Sequence, residues 1–174
     1  MIFLWLLVLV LLLFGVVVFF GAPYVPSQRK FVRQAFTSLY PLSDSDVLVD
    51  IGCGDGLILR EAAAYGAKAV GYEINPLLYG LSRLLGRKDD RITVYLANFW
   101  MTQLPDDTTI VYAFSVTRDN PKLQQRMQRE ADRLRRPLAL LCYGSPLSGY
   151  APEKQEDAYS LYVFHPMQEK TLTV

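Results

Sequence analysis

The chain has 174 residues, with 18 basic and 17 acidic side chains and a formal net charge of +1. That length allows one domain with a sizeable core, and the near-neutral charge gives no global field to attract nucleic acid. Two cysteines, Cys53 and Cys142, and one histidine, His165, exclude a disulfide framework and suggest neither a metal site nor a catalytic histidine.

The apolar residues are unevenly placed. Residues 1–22, "MIFLWLLVLVLLLFGVVVFFGA", carry no charge. About 20 apolar residues span a bilayer as a helix. No Lys or Arg precedes the run and no A-x-A site follows it, so a retained anchor is favoured over a cleaved signal peptide. Arg29, Lys30 and Arg33 follow the segment, which places the remaining domain, residues 23–174, on the cytoplasmic side of a membrane. Two unpaired cysteines agree with that reducing compartment. Pro23 and Pro26 stiffen the short linker between anchor and domain.

Ser27 is placed to cap a helix over 28–40, with Phe31, Ala35, Phe36 and Leu39 as its apolar face and Pro41 closing it. "DVLVDI" is a continuous apolar run that suits a buried parallel strand. "GLILREAAAYG" reads as a helix stopped by Gly66, and "KAVGYEI" as the second strand. Asn75 followed by Pro76 is an N-cap and a first-turn proline, predicting a helix over 76–85 ended by Gly86. "RITVYLA" and "TTIVYAF" are the third and fourth strands, 120–135 a long charged helix, "PLALLCY" the fifth strand and "DAYSLYVF" the sixth. This alternation predicts an α/β, Rossmann-like domain with a mainly parallel sheet and helices on both faces. Ligands of such sheets bind beyond the carboxyl ends of the strands.

"VLVDIGCGDG" stands at the first of those ends. Asp50 closes the strand, and Gly52, Gly54 and Gly56 recur at every second position around Cys53 and Asp55. A dinucleotide fold wants G-x-G-x-x-G, but Leu57 occupies the third glycine's place, which disfavours an NAD-dependent oxidoreductase. A pyrophosphate would be repelled by Asp50, whereas an ammonium group would be attracted. The N-terminus of the following helix favours a carboxylate. An amino-acid moiety joined to a nucleoside satisfies both. Glu73, 17 residues beyond Gly56, ends the second strand and can accept hydrogen bonds from ribose hydroxyls. Asn98 ends the third strand, where an amide can read an adenine edge, and Phe99 and Trp100 can stack on the ring or simply fill core.

"VDIGCGDG" with "VGYEINP" resembles the class I (seven-β-strand) S-adenosylmethionine-dependent methyltransferases. With "PYVPSQRKFVRQAF" before them and "NFW" after, residues 23–145 are similar to a branch of membrane-anchored protein lysine methyltransferases, which in animal mitochondria modify the ATP synthase c-subunit and the adenine nucleotide carrier. The resemblance implies S-adenosyl-L-methionine as cofactor. It implies a loop of Asp50, Gly52, Gly54 and Gly56 around the methionine part, and Glu73 at the ribose. Asn98 stands where the branch usually carries an acid. The candidate cofactor contacts are thus Asp50, Gly52, Cys53, Gly54, Asp55, Gly56, Glu73, Asn75, Asn98 and Phe99, with no metal.

Methyl transfer from a sulfonium needs alignment and dryness rather than a protein nucleophile. Tyr24 is the candidate catalytic residue, lining an apolar channel for a lysine amine; its alternative role is an interfacial tyrosine at lipid headgroups. "FSVTRDNP" lacks the Asn/Asp-Pro-Pro-aromatic loop of enzymes acting on nucleobase amines, again arguing against nucleic acid. Lys122, Arg126, Arg129, Arg133 and Arg136 share one face of the long helix, either as a solvated face or as a contact for anionic lipid. Three functions follow. They are a membrane-anchored methyltransferase acting on a lysine of a membrane protein, a lipid or quinone methyltransferase, and a non-catalytic module that binds a membrane partner.

Overall fold

The computed structural model describes residues 3–5, 8 and 28–167. The predicted anchor falls almost wholly outside them, as do Ser27 and Tyr24. Phe3, Leu4, Trp5 and Val8 are helical and exposed, and among the described residues no helix is long and apolar enough to cross a membrane.

Seven strands form one sheet in the order β3-β2-β1-β4-β5-β7-β6. β1 (Val47–Ile51), β2 (Lys68–Glu73), β3 (Ile92–Leu96), β4 (Ile110–Ser115) and β5 (Leu138–Gly144) are parallel. β6 (Lys154–Glu156) and β7 (Tyr159–Phe164) add an antiparallel edge. The mainly parallel α/β sheet is therefore as expected, with one strand more. β6 has three polar residues and no alternation of its own. It forms because Asp157, in a left-handed conformation (φ 51°), folds the chain back along β7.

Helices cover both faces. α1 (Arg29–Ser38), α2 (Leu57–Ala64) and α3 (Pro76–Gly86) lie on one, and α4 (Asn120–Leu134) lies on the other. Val32, Phe36, Leu59 and Ala62 meet Leu48 and Ile110 on the first face, while Leu123, Met127 and Ala131 meet Val49 and Val111 on the second. Each fully buried Leu, Ile or Phe contributes about 1.5–3 kcal/mol. Polar bonds set the joints between helices and strands. The buried Glu61 of α2 receives Arg33 Nε at 2.6 Å and Arg29 Nε at 3.5 Å from α1. Asp46, ahead of β1, accepts from the hydroxyls of Tyr40, Ser43 and Thr109.

Two readings are corrected by packing. Gly86 is the last residue of α3 and not a left-handed stop beyond it; a Cβ there would stand 3.1 Å from Ile92 Cγ2, so the glycine serves close helix–strand approach. Most of the basic stripe of α4 is neither a solvated face nor free for lipid. Arg126 pairs with Glu130 at 2.7 Å and donates to Thr102 O. Arg133 reaches Glu130, Asp106 and Leu104 O, and Arg136 donates to Asp106 O and Thr108 O. Lys122 lies over the Trp100 ring at 4.1 Å, and Arg129 stays exposed, bonded to Gln125 O of its own helix. Arg126, Arg133 and Arg136 clamp the 98–108 connection onto α4, supplying donors to carbonyls that β3 and β4 leave unpaired.

Candidate active site

The glycine loop leaves β1 at its carboxyl end. Gly52, Gly54 and Gly56 have φ of 83°, 55° and 76°, a region costly for residues with a Cβ. Gly52 N–H and Cys53 N–H both donate to Tyr72 O, at 2.8 and 3.1 Å, which folds the loop back over β2. Gly54 N–H then donates to Glu73 Oε2 at 2.8 Å, and Asn75 N–H to Glu73 Oε1 at 2.7 Å. Glu73, 6% exposed, thereby joins the loop to the start of α3, and each of its oxygens keeps a second lone pair.

Asp50 lies beneath the loop, 2% exposed, and its Oδ2 has no hydrogen-bond partner. Burial, followed by the nearby charges of Glu73 and Asp55, holds its carboxyl well above the usual carboxylate range. A buried, unpaired acid among acids is the environment that a cationic ligand group reverses. Cys53 turns into the core: burial and the acids Asp50 and Glu73 push its thiol up, and a Cβ at Gly71 would meet its Sγ at 2.6 Å. Its side chain therefore packs the loop, leaving backbone to face a ligand. Burial likewise raises Cys142 to about 12, so both cysteines are neutral thiols. Asp55 pairs with Arg60 at 3.1 Å and caps Leu57 N–H. Asn75 caps α3 through Leu77 N–H at 2.9 Å.

A cavity of about 360 Å³ opens beyond the strand ends. One wall is Gly52, Ile74, Asn98 and Phe99, as the sequence suggested for Gly52, Asn98 and Phe99. Asn98 Oδ1 also caps the short 3-10 turn Phe99–Met101 through Trp100 N–H at 3.0 Å, and Phe99 is held between Tyr72 and Trp100. A Cβ placed on Gly52 would meet nothing within 4 Å, so its left-handed φ of 83°, and not a clash, calls for glycine, and its backbone stays open to the cavity. The opposite wall went unassigned in the sequence. It consists of Phe114, Ser115 and Val116 at the end of β4, with Asp119, Asn120 and Lys122 at the start of α4. Asn120 is buried and donates to Pro146 O at 2.8 Å, bracing this wall against the loop after β5. The rule that ligands sit at strand ends was the signal that could have found it. Among the described residues no group of three or more His, Cys, Asp or Glu could hold a metal.

These features fit S-adenosyl-L-methionine: an unpartnered buried acid for an ammonium, an open glycine before it, a strand-end glutamate, and an amide beside an aromatic ring. A family model described as the ANTKMT methyltransferase domain matches residues 50–145. The chain belongs to that family. The class I methyltransferase resemblance is thereby borne out.

Members of known name are similar over this region. The ATP synthase C-subunit lysine N-methyltransferase of Xenopus laevis is 33% identical over 111 residues, covering 62% of this chain and 48% of that one. The human protein of the same name is 32% identical over 113 residues, covering 63% and 47%. A protein-lysine N-methyltransferase of Saccharolobus islandicus is 32% identical over 113 residues, covering 62% and 69%. The chain thus spans about half the length of the vertebrate relatives it matches. Among solved structures, an RNA methyltransferase from Salinibacter ruber in complex with S-adenosyl-L-homocysteine superposes with a TM-score of 0.72 at 23% identity, covering 84% of this chain and 97% of that one. At that identity the ANTKMT-family chain shares its fold.

Proposed function

We propose that this chain is an S-adenosylmethionine-dependent methyltransferase acting on a lysine side chain of a membrane protein. Residues 1–22 would anchor it and keep the domain on the cytoplasmic side. The observation that carries the cofactor part is Asp50 Oδ2, buried and unpartnered two residues before Gly52, which itself lines the cavity. The lysine part is supported by the names of the vertebrate and archaeal relatives.

In this reading Asp50 holds the ammonium of the cofactor's amino-acid end, and Gly52 lets that end approach the backbone. Glu73 accepts from the ribose hydroxyls with its remaining lone pairs. Asn98 and Phe99 take the adenine. The bound cofactor supplies a methyl group on a sulfonium, so the chain contributes alignment and exclusion of water. Phe114, Val116 and Trp100 give the cavity apolar walls on the acceptor side. A lysine ammonium entering between them is desolvated, which lowers its pKa and favours the neutral amine. Tyr24 falls outside the described residues, and the role proposed for it is the one given by its place in the sequence, a residue of the channel for the lysine amine.

Membranes containing the full-length protein, incubated with methyl-labelled S-adenosylmethionine, test the proposal when protein and lipid are then separated. Label is expected in a protein band and absent from an Asp50→Ala preparation. Label confined to the lipid extract would replace the lysine reading by a lipid or quinone methyltransferase. No transfer at all would favour the non-catalytic module.

A further inference from the structure

α3 presents its apolar side to solvent. Ile74, Leu77, Leu81, Leu84 and Leu85 are each 42–55% exposed, whereas Ser82 and Gly86 face the sheet. At 100° per residue the exposed leucines span one continuous arc. Arg83 and Arg87, both exposed, lie along one edge of it, and Lys88 follows at the helix end. From Ile74 to Lys88 there is no acidic residue against these three basic ones. Of the acids flanking that stretch, Glu73 is buried and bonded to Gly54 and Asn75, Asp89 is paired with Arg91 at 2.8 Å, and Asp90 is exposed beyond the helix end. A contiguous apolar face on a monomer marks an interaction surface, and leucines flanked by basic side chains match an anionic bilayer.

Two observations choose the bilayer as occupant. Ile74 belongs both to this face and to the cavity wall, so the face borders the mouth of the site. Second, α1 and α2 run side by side in the same direction: Arg29 and Arg33 reach Glu61, and Phe36 packs edge-on against Tyr65. α2 starts at the glycine loop. α1 therefore starts at the cavity's end, with six residues between it and a 22-residue uncharged apolar stretch.

We infer that the Leu77/Leu81/Leu84 face of α3 lies on the membrane surface, with Arg83, Arg87 and Lys88 at the headgroups. The cavity mouth is thereby held at the lipid boundary, where a lysine projecting from a membrane protein is within reach. A loosely tethered domain would be free to turn its mouth away from that boundary.

Full-length protein in phosphatidylcholine vesicles, with and without phosphatidylglycerol, tests the placement. An environment-sensitive fluorophore is attached at Leu81→Cys, and in a second preparation at Arg129→Cys, exposed on α4 across the sheet from α3; Cys53 and Cys142 are buried. Quenching by nitroxide-bearing lipid is expected to be several-fold stronger at 81 than at 129, and stronger still with the anionic lipid. Adding Leu77→Ser and Leu84→Ser should remove that excess without changing thermal unfolding, since both side chains are already half exposed. Equal quenching at the two sites would overturn the placement. So would a blue-shifted label at 81 that lipid does not quench, which would put a protein partner or a second copy on the face. Lipid quenching reads the face independently of methyl transfer, so failure of one does not imply failure of the other.

Discussion

Asp50→Asn is expected to weaken S-adenosylmethionine binding by about 100-fold or more while leaving the ligand-free protein at least as stable as wild type. The loss follows from removing one partner of a buried charge pair, worth about 3–5 kcal/mol. The stability half follows from linkage. The folded-state pKa of Asp50 is raised by burial and by Glu73 and Asp55, so the native state binds more protons than the unfolded chain between the two pKa values. Its contribution is full below the unfolded pKa and is lost as pH rises through the folded one. Each pH unit in that window is worth about 1.4 kcal/mol. Asn does not titrate, so the advantage of the variant grows with pH, by about 2–4 °C in Tm for each kcal/mol at this chain length. Thermal unfolding across a pH series, with and without cofactor, measures both halves. A variant less stable at every pH would show that Asp50 has a native partner.

Glu73→Ala is expected to do the opposite to stability. Glu73 accepts the backbone N–H groups of Gly54 and Asn75, at 2.8 and 2.7 Å, in a site that is nearly closed to water. Removing it leaves two buried donors without acceptors, at about 1–3 kcal/mol each. A loss of about 4 kcal/mol lowers Tm by roughly 10 °C. Cofactor binding fails as well, since the ribose partner and the loop position are lost together. Glu73→Gln retains one acceptor oxygen and should fall between the two in unfolding midpoint. Denaturation of the three proteins without cofactor separates the structural loss from the binding loss. Equal midpoints for wild type and Glu73→Ala would mean that water replaces the carboxylate.

The half of the site built from local sequence is legible in the residues themselves. The apolar run into Asp50, the alternate glycines, and the Asn75-Pro76 cap each depend on neighbours only a few residues away. Asn98 and Phe99 follow because they end the next strand along. The wall from Phe114 to Lys122 carries no motif of its own; only its place at the end of a predicted strand points to it, and the pairing of β4 beside β1 brings it to the cavity. Helical period identifies the faces of α3 and α4 but not what each face meets. The arginines of α4, with Arg136 just past its end, look solvent-facing by spacing, yet the carbonyls of Thr102, Leu104, Asp106 and Thr108 arrive from another part of the chain to receive Arg126, Arg133 and Arg136. In α3 the reverse holds. Four leucines suggest burial, but Gly86 against Ile92 and Ser82 beside the glycine loop make the inner face of small side chains, turning the leucines outward.

Calorimetric titration of full-length protein with S-adenosylmethionine, in buffers of differing ionisation enthalpy, tests the central claim most directly. Pairing of the ligand ammonium with Asp50 requires the carboxylate, so binding should release a proton and affinity should rise with pH until Asp50 is ionised in the free protein. Asp50→Asn should release none. Tight binding with no proton release, or equal affinity of wild type and Asp50→Asn, would contradict the account by showing that the buried acid is not where the cofactor's charge is held.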